Sequence, residues 1–285
     1  MKNANTLTEF DPKFNLRFPD ITSLIASYAH EKTSVSFKES KKIEGLHFHS
    51  YCEIYINISG DVNFLVEDKV YKIKRGDILI TKPNEFHKCI FPSECLHEHI
   101  CIWLETPYSS PFLDVFMKKN RGENNLISLP QIKKEEVLNL CYEMEKLNTD
   151  SDNRIETLSI LLKIIAIISN AKKVSESSKA EISETTQKAL SYINKNYVQI
   201  DNIKEVSDFL FVSQSTLYRS FIEDIKIPPK KYLDNKKLSF ARQLLENGDS
   251  VTEACMKSGF SDCSHFISVF KKHFNVTPSK IKAKK

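Results

Sequence analysis

Ser250–Lys282 reads SVTEACMKSGFSDCSHFISVFKKHFNVTPSKIK, and the interpretation of the chain starts there. Ser250 and Glu253 form a Ser-x-x-Glu capping box, which opens a helix by occupying its free N–H groups. Ala254 and Met256 continue that short helix. Gly259 supplies a positive φ for a tight turn. Ser261 or Asp262 can cap a second helix, on which Phe266 and Phe270 stand four apart and share a buried face. Cys263, Ser264, Ile267 and Ser268 then point away from that face. Lys271, Lys272 and His273 close the helix, where positive charge suits both its dipole and a phosphate. Asn275 fits a left-handed stop, and Pro278 prevents continuation.

Two short helices across a glycine turn make a helix-turn-helix, whose second helix would lie in a DNA major groove. The Gly-Phe-Ser-Asp core, the Phe-x-x-x-Phe-Lys-Lys spacing and the following Thr-Pro resemble the AraC/XylS family of transcription regulators. Upstream, Asn202 and Glu205 cap a helix carrying Val206, Phe209 and Leu210, and Ser213 opens another with Leu217 and Phe221 four apart. Glu205 and Glu253 are 48 residues apart, as are Ser213 and Ser261, so the unit is an internal repeat. Lys230–Asn247 reads as one connecting helix, ended by Gly248. Phe211 stands where the first unit's turn resembles one that takes glycine. Phenylalanine at positive φ is strained, so a different turn geometry is expected there.

The resemblance maps the base-reading positions of the first unit onto Ser215, Tyr218 and Arg219, beside Ser213 and Gln214. Arg219 is the candidate for a bidentate guanine contact; a phosphate contact or surface ion pair is the alternative. In the second unit the matching positions are Cys263, Ser264, Ile267 and Ser268. An arginine is usual in the family where Ser268 stands. Hydrogen-bond readout there is therefore expected to be poor, with Lys271 and Lys272 on phosphates and Ile267 against a thymine methyl.

The N-terminal half is different in kind. Between about Ile43 and Leu104, short β-runs alternate with turns at Gly60-Asp61, Glu67-Asp68-Lys69 and Arg75-Gly76-Asp77. In His47–Asn57 the odd positions His47, His49, Tyr51, Glu53, Tyr55 and Asn57 share one strand face, opposite Phe48, Cys52, Ile54 and Ile56. His47-x-His49-x3-Glu53-x6-Gly60 resembles the first cupin motif. Gly76-x6-Pro83-x3-His87 resembles the second, with Asn84 replacing the usual glycine after the proline. Cupin-like sensor barrels are frequent in AraC-type regulators. The expected ligand-binding set is His47, His49, Tyr51, Glu53, Tyr55 and His87. No metal cofactor is expected; His47, His49, Glu53 and His87 are the residues that would hold one. A purely structural hydrogen-bonding role is the remaining alternative. His97 and His99 read as a separate strand pair.

Gln131–Leu147 and Arg154–Ala171 read as helices. Leu158, Leu161, Leu162, Ile164, Ile165 and Ile168 make the second apolar on more than one face. A dimer contact through it is expected, with a buried intradomain helix as the alternative. Ser169–Ser183 is rich in Ser, Lys and Glu and reads as a linker. Met1–Lys42 reads as an arm.

The totals fit this division. Residues 184–285 carry 17 Lys+Arg against 11 Asp+Glu, a balance of +6. The rest carries 24 against 26, since the whole chain has 41 and 37. A basic C-terminal third suits a nucleic-acid partner. Seven cysteines, with no Cys-x-x-Cys, read as reduced thiols of a cytoplasmic protein. Met1–Asp20 is polar and holds two prolines, unlike a secretory leader. Leu158–Ile168 is far shorter than the ~20 residues of a membrane span.

The expected fold is an α+β two-domain chain. A cupin-like β-barrel with helices occupies 1–168, a linker 169–183, and an all-α double helix-turn-helix domain 184–285. The expected function is a sequence-specific, non-enzymatic transcription regulator. The resemblance implies an activator controlled by a small molecule such as a carbohydrate. Its implied partners are double-stranded DNA, RNA polymerase and a second copy of the chain, with no membrane. The alternatives are a cupin metalloenzyme joined to a DNA-binding domain, and a constitutive DNA-binding dimer.

Overall fold

The computed structural model describes residues 14–18, 24–36, 46–105, 111–147, 153–173 and 180–281. Among the described residues, the N-terminal part holds ten strands: β1 (Phe14–Phe18), β2 (Leu24–Val35), β3 (Cys52–Ser59), β4 (Val62–Val66), β5 (Lys69–Ile73), β6 (Ile78–Thr81), β7 (His87–Ile90), β8 (Cys95–Glu105), β9 (Leu126–Ser128) and β10 (Lys172–Lys173). They form a seven-stranded sheet in the order β1-β2-β8-β3-β6-β9-β10 and a three-stranded sheet, β5-β4-β7. The first two strands correct the expectation of an arm before Lys42. β2 pairs along its whole length with β8, from Ile25 opposite Glu105 to Val35 opposite Cys95.

β3 shows why this half has two cores. Its residues from Cys52 to Ile58 are all buried. Tyr55 faces the three-stranded sheet, packing with Val62, Phe64, Ile73 and Trp103. Cys52, Ile54, Ile56 and Ile58 face the other way, onto helices α2 (Gln131–Leu147) and α3 (Arg154–Ser169), which follow the short α1 (Asp114–Met117). Helix α3 packs one side into the domain: Leu158, Leu161, Ile164, Ile165 and Ile168 are buried in that cluster and Leu162 packs on it, while Ile155, Glu156, Ser159, Lys163 and Ala166 are exposed. Its inner apolar residues are taken up within the domain.

The C-terminal part contains α4 (Glu184–Asn196), α5 (Ile203–Phe209), α6 (Gln214–Ile225), α7 (Pro229–Glu246), α8 (Val251–Lys257) and α9 (Cys263–Phe274). Both capping boxes form: Asn202 with Glu205 before α5, and Ser250 with Glu253 before α8. Asp262, not Ser261, caps α9, its Oδ1 accepting from the N–H groups of Ser264 and His265. The repeat extends to the helix ends. Lys226 after α6 and Asn275 after α9 both take left-handed conformations, at φ 56° and 58°. Lys237 on α7 joins the units: its buried ammonium donates to the carbonyls of Ile200 and Gly259, each at 2.7 Å.

The two halves are docked, not merely tethered. Leu65, Val70 and Ile90 of the three-stranded sheet share a core with Ile193, Leu217, Phe221 and Ile225. Phe48 and Phe86 share another with Phe266, Phe270 and Phe274. At the β4–β5 turn, Glu67 (φ 52°) is fully buried. Its carboxylate pairs with Lys236 of α7 and with Arg121, and its carbonyl accepts from the Tyr232 hydroxyl at 2.9 Å. Burial would raise the Glu67 acid, but Lys236 and Arg121 hold it below the usual carboxylate range.

Candidate nucleic-acid interface and barrel interior

Helices α6 and α9 each bury one stripe and expose the other. On α6, Leu217, Phe221 and Ile225 are buried, while Ser213, Gln214, Ser215, Tyr218 and Arg219 are exposed. The Ser213 hydroxyl is occupied as a cap, accepting from the Thr216 N–H at 3.0 Å, so its side chain is already committed. On α9, Phe266, Phe270 and Phe274 are buried, while Ser264, Ile267, Ser268, Lys271 and Lys272 are exposed.

Two expectations on α9 are corrected. Cys263 is half-buried, and its sulfur lies 2.7 Å from that of Cys255 in the α8–α9 core, so it turns away from the outer face. His273 is no phosphate group: its ring stacks on Phe48 of the β domain at 5.8 Å. Burial, aided by Lys231 and Arg242, lowers it to about 4.

The turn before α6 is a third correction. Phe211 does adopt positive φ, at 54°, and is 96% exposed. Its N–H reaches the Asp208 carbonyl and that of Val212 reaches Ser207, so the left-handed turn is kept with phenylalanine in it. Gly259, at φ 81°, is its counterpart.

Between the sheets of the β domain lies a polar cluster. One carboxylate oxygen of Glu53 lies 2.8 Å from His49 Nε2 and 2.9 Å from His87 Nε2. The opposite ring nitrogens face backbone carbonyls: His49 Nδ1 at 2.9 Å from Tyr51 O, and His87 Nδ1 at 2.9 Å from Glu85 O. Glu85 is itself locked by a buried pair with Lys119, which fixes the loop carrying His87. Asn84 in that loop takes φ 64°, the conformation for which glycine is usual.

Burial would raise Glu53, but His87 and His49 hold it well below the carboxylate range. Burial would lower His87, but Glu53 raises it above the usual imidazole value. Burial lowers His49, in spite of Glu53. A neutral imidazole has one proton, yet both His49 nitrogens face acceptors.

His47 pairs its backbone with His87, and the rings sit 4.2 Å apart. His47, Glu53 and His87 bring one ligand atom each within 4.8 Å of one another. Two imidazoles and a carboxylate suit a late first-row divalent metal. Tyr51 stacks on His49 at 3.9 Å. The Tyr55 hydroxyl meets His97 Nε2 at 2.7 Å, and its ring stacks on His99. His97 and His99 therefore join the predicted set. Burial lowers them to about 3 and about 4. The signal was available: both lie on β8, opposite Thr33 and Glu31 of β2, at the odd positions that share a face with Cys101 and Trp103.

The architecture defines a helix-turn-helix DNA-binding protein with a β-rich partner domain. A helix-turn-helix domain model matches residues 206–284, and an AraC-like ligand binding domain model matches residues 41–100. The two halves of the chain thus match an AraC-like ligand-binding domain and a helix-turn-helix domain, the pairing found in AraC-family transcription regulators. It is 24% identical over 77% of its length to the uncharacterised transcriptional regulator YbfI of Bacillus subtilis, covering 80% of that protein. It is 23% identical over 83% of its length to the transcriptional activator RhaS of Klebsiella pneumoniae, covering 86% of it. Among solved structures, the C-terminal domain of AraT, a response regulator from Geobacillus stearothermophilus, matches 36% of the chain and 87% of that domain at 26% identity and a TM-score of 0.35. No helix among the described residues is long and apolar enough to cross a membrane.

Proposed function

We propose that the protein is a cytoplasmic, effector-controlled activator whose β domain, expected within residues 1–168 and extended by β10 to Lys173, signals directly to its second helix-turn-helix, within residues 184–285. One observation carries this reading. His47 and His49 line the polar cluster while Phe48 between them packs on Phe274 (5.3 Å) and His273. His87 lines it too, and its neighbour Phe86 packs on Phe48 in the same interdomain core. The same backbone segments thus carry cluster groups on one side and the seat of α9 on the other. A ligand that reorganises the imidazoles shifts that seat, and so biases the placement of α9 relative to α6.

On the DNA side, α6 reads bases through Ser215, Tyr218 and Arg219, while α9 holds phosphates through Lys271 and Lys272. Two such helices reach successive major grooves, about 34 Å apart. The effector is a small hydroxylated molecule of the carbohydrate type, whose hydroxyls donate to His49 and Glu53 and stack against Tyr51. The RhaS relatives are named as activators, and activation implies contact with RNA polymerase. A homodimer would supply the second half-site.

The test is selection and sequencing from a randomised double-stranded DNA pool at fixed salt, with and without a panel of sugars and polyols. Expected are two short motifs one helical turn apart, with an occupancy that one compound changes. In Phe48→Ala the compound still binds but no longer changes DNA occupancy. Absence of enrichment under every condition overturns the reading. A second reading, a divalent metal on His47, Glu53 and His87, rests on their convergence. A metal there would fix the imidazoles and offer an effector oxygen a cationic partner. Metal analysis of His87→Ala against wild type decides it.

A further inference from the structure

The cysteine pair in the second helix-turn-helix has no counterpart in the first. Cys255 corresponds to Ser207, 48 residues earlier, and Cys263, the first residue of α9, to Gln214, the first residue of α6. Ser207 caps no thiol chemistry; its hydroxyl donates to the Lys204 carbonyl. In the second unit both positions are free thiols, with their sulfurs 2.7 Å apart. A disulfide bond needs ~2.05 Å, so closing it takes a movement of under an ångström. Cys255 lies in the core of the unit, its sulfur also directed at the Phe260 carbonyl at 3.7 Å. Burial pushes its thiol up to about 12. Cys263 is the first residue of α9 and is half-exposed, so an oxidant in solution reaches it first. A metal is not the natural occupant. Among the described residues, the groups of three or more ligand side chains within coordination distance comprise only His47, Glu53 and His87.

We infer that Cys255 and Cys263 are a redox-modification site, a dithiol that a peroxide converts to a disulfide pinning the recognition helix α9 to α8. The Cys263 sulfur attacks a peroxide oxygen. The O–O bond breaks, one water leaves with the thiol proton, and Cys263 becomes a sulfenic acid. The Cys255 sulfur then attacks the Cys263 sulfur. The S–S bond forms, the S–O bond breaks, and a second water carries away the Cys255 proton. The two thiols are oxidised by two electrons and one peroxide is reduced to two waters. A short-range attack compensates for the low thiolate fraction of Cys255. The outward residues Ser264, Ile267, Ser268 and Lys271 take no part, so the bridge stiffens the unit without covering its exposed face. A cross-link across the Ser258–Asp262 turn restrains the unfolded segment and slows the opening of α8 and α9.

The experiment uses the reduced full-length protein and stoichiometric hydrogen peroxide. Trypsin cleavage after Lys257 separates the two cysteines, so a bridge leaves Gln243–Lys257 and Ser258–Lys271 joined, two hydrogen masses lighter, until a thiol reductant is added. That joined pair is the expected product. Amide exchange across Val251–Phe274 is expected to slow at least several-fold in the oxidised protein, and to be unmoved by peroxide in Cys263→Ser. The idea is overturned if Cys89 or Cys95 oxidises while Cys255 and Cys263 stay open to alkylation. It is equally overturned if Cys263 proceeds to the sulfinic acid with no joined peptide. Both readings come from the wild-type protein, so they stand if a variant folds poorly.

Discussion

The two helix-turn-helix units share a plan but build its turn from different residues. Phe211 and Gly259 occupy equivalent places, both at positive φ. A Cβ on Gly259 would lie 2.2 Å from the Val198 carbonyl oxygen, a distance no packing tolerates. The second turn is pressed against the segment joining α4 to α5, and only a residue without a side chain fits. The first turn faces solvent, so phenylalanine carries only the backbone cost of a left-handed residue, ~1–2 kcal/mol. Glycine at a turn thus has two separable physical reasons, conformation and space, and this chain isolates them.

Gly259→Ala breaks the second unit if that account holds. The overlap is with backbone, so the expected loss is about 4 kcal/mol or more in urea unfolding. A loss under about 1 kcal/mol would show that the turn is not pressed on Val198. Next in size is Lys236→Met, which leaves Glu67 buried without its main partner and is expected to cost about 3 kcal/mol. Because Lys236 sits on the helix shared by both units, the loss should appear in both. A cost seen in only one half would mean that the units dock independently.

Acid separates the units further. His273 in α9 has no equivalent in α6, where Asp224 stands. Its folded value of about 4 lies below the ordinary 6.5, so between those values the unfolded chain binds a proton that the folded chain refuses. Stability therefore falls as pH drops from 6.5 to 4, on the order of 3 kcal/mol from this group alone. Urea midpoints at pH 7 and pH 5 should differ less in His273→Phe, which keeps the stack on Phe48. Smaller again is Arg219→Ala, expected to lose ~1–3 kcal/mol of discrimination at one or two base pairs while Ser268→Ala changes little. Equal losses on selected and random DNA would remove Arg219 from base reading. The smallest effect is Phe211→Gly. Relief of the left-handed strain, less the entropy of a freer unfolded chain, leaves a gain of about 1 kcal/mol. The matching gain in denaturation midpoint is absent if the strain is already relaxed.

What the sequence made legible was local. The capping boxes at Asn202 and Ser250, the stripes Leu217–Phe221 and Phe266–Phe270, and the β4–β5 hairpin follow from periods and caps that each segment carries alone. What escaped depends on which surface an element meets. Phe48 read as part of the barrel's apolar face, yet it packs on α9, because alternation assigns a side of the strand and not the neighbour across it. Helix α3 read as apolar on more than one face, yet it has an exposed stripe of Glu156, Ser159 and Lys163, because apolar composition does not say which side meets the domain. β2 was missed because its second half, His30–Ser34, is polar; its pairing comes from β8, far along the chain. In the barrel the motif spacing found His47, His49, Glu53 and His87. His97 and His99 entered the cluster only through the register of β8.

The ammonium of Lys237, held between the carbonyls of Ile200 and Gly259, bears on how such a tandem evolves. It stitches the approach to the first unit to the turn of the second, beside the Val198 contact that excludes a side chain at Gly259. Duplicated modules usually remain exchangeable; these two have traded part of that freedom for a shared contact. A chimera that grafts residues 250–282 onto another regulator would take the Gly259 carbonyl away from Lys237 and Gly259 away from Val198. Lineages of this protein should therefore change DNA specificity by substituting single residues on the outer stripes of α6 and α9, and not by swapping whole units.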